Sequence, residues 1–136
     1  MKKNYLLVTG GAGFVGSNLI EYLIDKTSFK IISIDNYSSG TKKNHIKNSK
    51  VVYLKGDTQN IEKILHKYKT KIKSVFHFGE FSRIYQSFKN FDECYKSNSI
   101  GTNAVFKFCL ENKIRLIYSA TSATLGRKGN DKNLSP

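Results

Sequence analysis

The chain of 136 residues is 39% hydrophobic and 24% charged, and 23 Lys and Arg against 10 Asp and Glu give a net charge of +13. That length suits one domain with a genuine core, and apolar runs of about four residues exclude a spanning helix, which needs ~20. The cations are 20 Lys and 3 Arg spread along the chain, and the densest stretch, ten Lys from Lys42 to Lys73, lacks interleaved stacking aromatics, so a solvated basic face is favoured over a nucleic-acid groove.

The first apolar run, Tyr5–Val8, follows Lys2 and Lys3 but meets Thr9-Gly10-Gly11 too soon for the ~7–15-residue core of a signal peptide, and it predicts a strand. Val15, Leu19 and Leu23, with Ile20 and Ile24 beside them, then share one helix face. Ile31–Ile34 predicts a second strand, and Asn36 to Lys50 is a polar, Lys-rich loop. After a third run, Val51–Leu54, the i, i+3, i+4, i+7 spacing of Ile61, Ile64, Leu65 and Tyr68 predicts a helix. Val75–Phe78 is the fourth run, and Ile84, Phe88, Phe91 and Tyr95 again recur at helical spacing. Val105, Phe108 and Cys109 precede the fifth run, Ile114–Tyr118. Cys94 and Cys109 fall on helices without metal-ligand spacing, so they are expected to be reduced and buried in a cytoplasmic protein, with no metal site.

Short runs rich in β-branched residues suit strands covered on both faces. Alternation with helices, joined by right-handed crossovers, predicts a doubly wound parallel α/β sheet of order 3-2-1-4-5.

Strand one leads through Thr9-Gly10-Gly11-Ala12-Gly13-Phe14-Val15-Gly16 directly into the first helix. Gly10 permits the tight turn, Gly13 has no Cβ to obstruct a pyrophosphate, and Gly16 lets the helix pack closely. Free N–H groups and the dipole at the helix start attract phosphate. Asp35 closes the second strand, where an acid accepts from both hydroxyls of an adenosine ribose and repels a 2′-phosphate, favouring NAD over NADP. The alternative is a loop cap, and Lys42-Lys43 nearby could still tolerate a phosphate. Asp57, in Lys55-Gly56-Asp57-Thr58, either accepts from an adenine amino group or caps the following helix.

With these elements the chain resembles the extended short-chain dehydrogenase/reductase family, the nucleotide-sugar epimerases and dehydratases. The matching pieces are TGGAGFVG at 9–16, IDNYSSG at 34–40, GD at 56–57, VFHFG at 75–79, NSIGT at 98–102 and YSATSATLG at 118–126. The resemblance implies pyrophosphate contacts at Phe14 and Val15, ribose contacts at Asp35 and Asn36, and an adenine site framed by Asp57 and Thr58. It implies further that Phe78 and Gly79 line the dinucleotide, that Asn98 stands near the nicotinamide end, and that Thr121 hydrogen-bonds the reacting sugar oxygen. From the residues alone, Thr121 reads as a strand-end hydroxyl satisfying local backbone. A nucleotide-diphosphate sugar as substrate and a homodimer as assembly are further implications.

The chain departs from the family pattern in three ways. Glu80 stands where a small residue is usual, and it either reshapes the nicotinamide end or adds a base. Ser122 and Ala123 occupy positions where dehydratases carry acids, which favours epimerisation. No tyrosine follows Tyr118, so the family's Tyr-x-x-x-Lys pair is not found beyond Thr121; Tyr22 with Lys26 and Tyr85 with Lys89 match the spacing only on the wrong elements. Residues 1–136 therefore read as one NAD(P)-binding Rossmann domain, the incomplete N-terminal part of an epimerase, inactive by itself and without a membrane segment. The competing readings are a non-catalytic dinucleotide-sensing or scaffolding module and a basic nucleic-acid binder on the same fold.

Overall fold

The structure, a computed structural model, describes residues 3–120. Five parallel strands form one sheet of order β3-β2-β1-β4-β5, as the alternation predicts. They are β1 (Tyr5–Thr9), β2 (Lys30–Asp35), β3 (Val51–Lys55), β4 (Ile72–His77) and β5 (Arg115–Tyr118). Helix α1 (Phe14–Lys26) crosses from β1 to β2, α2 (Ile61–Ile64) lies between β3 and β4, and α3 (Ile84–Lys89), α4 (Phe91–Tyr95) and α5 (Thr102–Glu111) precede β5. A π-helical segment, Lys96–Gly101, joins α4 to α5.

The strands' period of two divides the core between the two faces of the sheet. Leu6, Val8 and Ile31 pack with Ile20, Leu23 and Ile24 of α1. Leu7, Ile32, Ile34 and Val75 face the other way, onto Ile61, Leu65, Val105 and Phe108. Cys109 lies in this second core, where burial pushes its thiol up to about 11 and keeps it protonated; Cys94 is only half-buried.

Lys50 draws one of the many cations into a structural role. Its Nζ donates to the carbonyls of Ile24 and Thr27 at 2.9 and 3.2 Å, closing the C-terminal end of α1, where a cation meets the negative end of the helix dipole. Two ion pairs, Lys69–Glu62 and Lys107–Glu111, form among the described residues.

Three elements differ from their expected form. β4 begins at Ile72, three residues early, because exposed Lys73 interrupts the apolar run without interrupting the strand. The expected helix from Ile61 to Tyr68 is helical only to Ile64, although Ile61 and Leu65 are still fully buried. The stripe from Ile84 to Tyr95 breaks at Asn90 into two short helices, and its apolar side chains are exposed rather than packed in the core.

Candidate functional site

The carboxyl ends of β1, β2 and β4 open into a cleft of about 790 Å³. It lies at the switch point, where connections from the central strand β1 turn to opposite sides, the usual ligand position in a doubly wound sheet.

The turn after β1 is built for close backbone approach. Gly10 has φ +71°, a conformation that penalises side chains, and a Cβ there would stand 2.6 Å from the Phe78 carbonyl oxygen. A Cβ on Gly16 would strike the backbone of Gly10 and Gly11, so this glycine seats α1 against the turn. Gly13, at the N-cap, is different. A Cβ there would meet only the Gly10 carbonyl at 3.2 Å, leaving its other side open. The amides of Phe14, Val15 and Gly16 have no acceptor among the described residues, and no acid occupies the first turn of α1. Three unpaired donors at the positive end of a helix suit a pyrophosphate.

Asp35 is buried and holds this turn. Its Oδ2 accepts from the Ala12 amide at 2.9 Å and its Oδ1 from the Tyr37 amide at 2.8 Å. Both carboxylate oxygens keep a further lone pair. The loop-cap and ligand readings are thus compatible. Asn44 Nδ2 and the Thr41 amide both donate to the Ala12 carbonyl, so the loop after β2 straps the glycine turn from its other side. Tyr37, at φ +63°, meets His45 Nε2 through its hydroxyl at 3.1 Å, and His45 stacks on Tyr53 with ring centroids 3.8 Å apart. Burial raises the Tyr37 phenol above its ordinary value. Lys42 Nζ lies 5.9 Å from the Tyr37 ring centroid, while Lys43 is exposed.

Asp57 stands at the N-cap of the turn Thr58–Asn60 without a side-chain capping bond. Its Oδ1 instead accepts from Asn36 Nδ2 at 2.7 Å, and Asn36 Oδ1 accepts from the Ser38 amide. Thr58 is buried beneath the cleft, and a Cβ on Gly101 would collide with its hydroxyl.

Beyond β4, the π-helical segment grips the loop that carries Phe78 and Gly79. Asn98 accepts from the Phe81 amide at 2.6 Å and donates to the Phe81 carbonyl at 2.9 Å, while Ser97 donates to the Gly79 carbonyl. Asn98 lines the cleft, but its amide is committed to this clamp. Thr121 lies outside the described residues, as do Ser122 and Ala123; β5 ends at Tyr118.

Under the cleft runs a relay that the sequence did not announce, apart from one polar residue, His77, at the end of an apolar strand. Thr9 Oγ1 accepts from the amides of Phe78 and Gly79 and lies 2.6 Å from His77 Nδ1; His77 Nε2 is 3.0 Å from Thr102 Oγ1. Thr102 donates to Glu80 Oε1 at 2.7 Å, and the Tyr118 hydroxyl donates to the same oxygen at 2.9 Å. Because Thr102 spends its proton on the carboxylate, it must accept from His77 Nε2–H. Nδ1 then accepts from Thr9. A protonated ring would turn Nδ1 into a donor facing a hydroxyl whose lone pairs are already taken. Burial lowers the pKa of His77, offset only in part by the charge of Glu80.

Stability should therefore depend on His77. Its folded pKa lies below its unfolded value of ~6.5, so the folded state binds fewer protons than the unfolded one once pH falls under ~6.5. Its contribution is complete above that pH and is lost on acidification at up to about 1.4 kcal/mol per pH unit until the folded pKa is passed. Urea midpoints at pH 7.5 and 5.5 should differ more for the wild-type chain than for His77→Gln. Equal pH slopes in the two proteins would refute the assignment.

With this geometry in place, comparison with known proteins is decisive. The model of the NAD dependent epimerase/dehydratase family matches residues 6–135. The chain belongs to that family. Among its relatives is the UDP-glucose 4-epimerase of Halalkalibacterium halodurans, 32% identical over 123 residues, which are 89% of this chain and 36% of that protein. Among solved structures, a UDP-N-acetylglucosamine 4-epimerase from Methanobrevibacter ruminantium M1, in complex with UDP-N-acetylmuramic acid, gives a TM-score of 0.82 at 30% identity. That match covers 99% of this chain and 43% of the other. WbmG of Bordetella bronchiseptica, in complex with NAD, gives 0.79 at 25% identity over 90% of this chain and 39% of its own. The chain thus spans well under half the length of these similar proteins.

Among the described residues no helix is long and apolar enough to cross a membrane, and no cluster of three or more His, Cys, Asp or Glu could hold a metal ion.

Proposed function

We propose that these residues form the cofactor-binding part of an NAD-dependent nucleotide-sugar epimerase, with 1–136 as one Rossmann domain of it. The observation that carries this reading is the pairing, in one cleft, of three open amides at the start of α1 with the Asp35 carboxylate at the end of β2. A dinucleotide needs both, an anion site for its pyrophosphate and an acceptor for its ribose hydroxyls.

On this reading Gly10, Gly13 and Gly16 shape the turn, and Phe14 and Val15 donate their amides to the pyrophosphate. Asp35, with Asn36, takes the adenosine ribose. Asp57 and Thr58 border the adenine, Asp57 being oriented by its bond to Asn36. Phe78 and Gly79 floor the remaining half of the dinucleotide, and Asn98 keeps their loop in place. NAD supplies a nicotinamide ring that takes up and returns a hydride. The substrate is a nucleotide-diphosphate sugar, the class that the related epimerases are named for, and Thr121 is the hydroxyl that hydrogen-bonds its reacting oxygen.

Calorimetry tests the cofactor assignment. NAD+ should bind about tenfold tighter than NADP+ or better, since a buried carboxylate repels a 2′-phosphate. Equal or tighter binding of NADP+ would overturn it. For the substrate class, the native polypeptide carrying these residues should invert UDP-glucose or UDP-N-acetylglucosamine at C4, with Thr121→Val slower by about 10²-fold or more. Full activity in that variant would remove Thr121 from the chemistry.

A further inference from the structure

Glu80 lines the cleft at a position where the family resemblance leads one to expect a small residue, and the cofactor contacts proposed above leave it unused. Its place is set by geometry. Oε1 accepts from Thr102 and Tyr118, and no described residue donates to Oε2. No cation lies within ion-pair distance among the described residues. Both partners are hydroxyl donors, which orient toward a carboxylate without neutralising it. The hydrogen bond to Glu80, more than burial or the charge of Glu80, raises the Tyr118 phenol above its ordinary range.

The side of the cleft decides what this charge meets. The open amides of α1 hold a pyrophosphate over β1, and Asp35 holds the adenosine ribose at the end of β2. The other half of the dinucleotide must then extend over β4 and β5, and Glu80 follows β4 while hydrogen-bonding the last residue of β5. That half carries the nicotinamide ring, cationic when oxidised and neutral when reduced.

We infer that Glu80 sets the oxidation state of the dinucleotide that this cleft prefers, its fixed carboxylate favouring the cationic ring of NAD+ over the neutral ring of NADH. The inference rests on the reading of the cleft as an NAD site. Arg83 and Lys96 also border the cleft, and they act against Glu80. Their effect is constant across a comparison of variants at Glu80 alone.

The test is calorimetric titration of the chain with NAD+ and with NADH at one ionic strength. Glu80→Gln keeps a carbonyl oxygen for the Thr102 and Tyr118 hydroxyls and removes the charge. The ratio of the NADH to the NAD+ dissociation constant should fall about fivefold or more in this variant, the scale of one charge acting across a partly solvated pocket. Tyr118→Phe, which loses a donor but keeps the charge, should leave the ratio near the wild-type value. If Glu80→Gln does not fold, Glu80→Ala should show the same shift. A role confined to structure weakens both forms alike, and an unmoved ratio overturns the inference while the NAD reading stands. Failure of the wild-type chain to bind either form overturns the NAD reading, and this inference with it.

Discussion

Gly13→Val is expected to abolish dinucleotide binding in a chain that still folds, with an unfolding free energy lower by only about 1 kcal/mol. The N-cap backbone of Gly13, at φ −79° and ψ 174°, is extended and open to any residue. The added Cβ touches one carbonyl at 3.2 Å, and the loss of glycine at the cap costs about 1 kcal/mol. The valine methyls would occupy the space through which a phosphate reaches the amides of Phe14 and Val15. Losing two charge-assisted hydrogen bonds of ~1.5–3 kcal/mol each weakens binding by about a hundredfold or more. Gly16→Ala is the contrasting variant. Its Cβ would lie 2.7 Å from Gly11 Cα with the Gly10 carbonyl nearer still, all of it backbone. It should cost roughly 2–4 kcal/mol of stability, as overpacking against an unyielding wall does, and lose binding through the displaced turn. Urea unfolding and calorimetry on both variants check the contrast. A Gly13→Val chain that binds NAD+ at wild-type affinity would refute the pyrophosphate path.

What the sequence displayed was what lies close together along the chain. The five apolar runs gave the strands and their order because each is a local β-branched block, and the crossover rule allows few arrangements of such blocks. The glycine turn and Asp35 were legible for the same reason, one as a contiguous segment and the other as a strand end at a fixed offset. The helical spacing misled where an apolar period met a break. Asn90 divides α3 from α4, and Ile61 and Leu65 reach the core without a helix continuing between them and Tyr68. The polar network was not legible. Asn36 meets Asp57 across 21 positions, Asn98 meets Phe81 across 17, and Glu80 meets Thr102 and Tyr118 across 22 and 38. No spacing rule joins residues so far apart; the sheet order does for Asn36 and Asp57 by placing the ends of β2 and β3 side by side, and for Glu80 and Tyr118 by doing the same with β4 and β5.

Asp35→Ala should lose both cofactor and stability, and the structure separates the two losses. Removing the carboxylate orphans the Ala12 and Tyr37 amides, and Ala12 is fully buried. Two unmet donors at ~1–2 kcal/mol each predict a fall of about 2–4 kcal/mol in unfolding free energy. The Tyr37 backbone, held at φ +63° beside Asp35, loses the bond that keeps it there, so the loop after β2 loosens as well. NAD+ affinity then drops for two reasons, the missing ribose acceptor and the slackened glycine turn. NADP+ suffers the second loss but is relieved of charge repulsion, so its affinity should fall less and the preference for NAD+ should narrow about tenfold. Asp35→Asn places an amide NH2 against one of the two backbone donors, and its stability should lie between the wild type and Asp35→Ala. Urea unfolding together with calorimetry of both cofactors distinguishes the contributions. An unchanged unfolding midpoint in Asp35→Ala would remove the residue's role in holding the turn, and an unchanged ratio of NAD+ to NADP+ affinity would remove its role in choosing the cofactor.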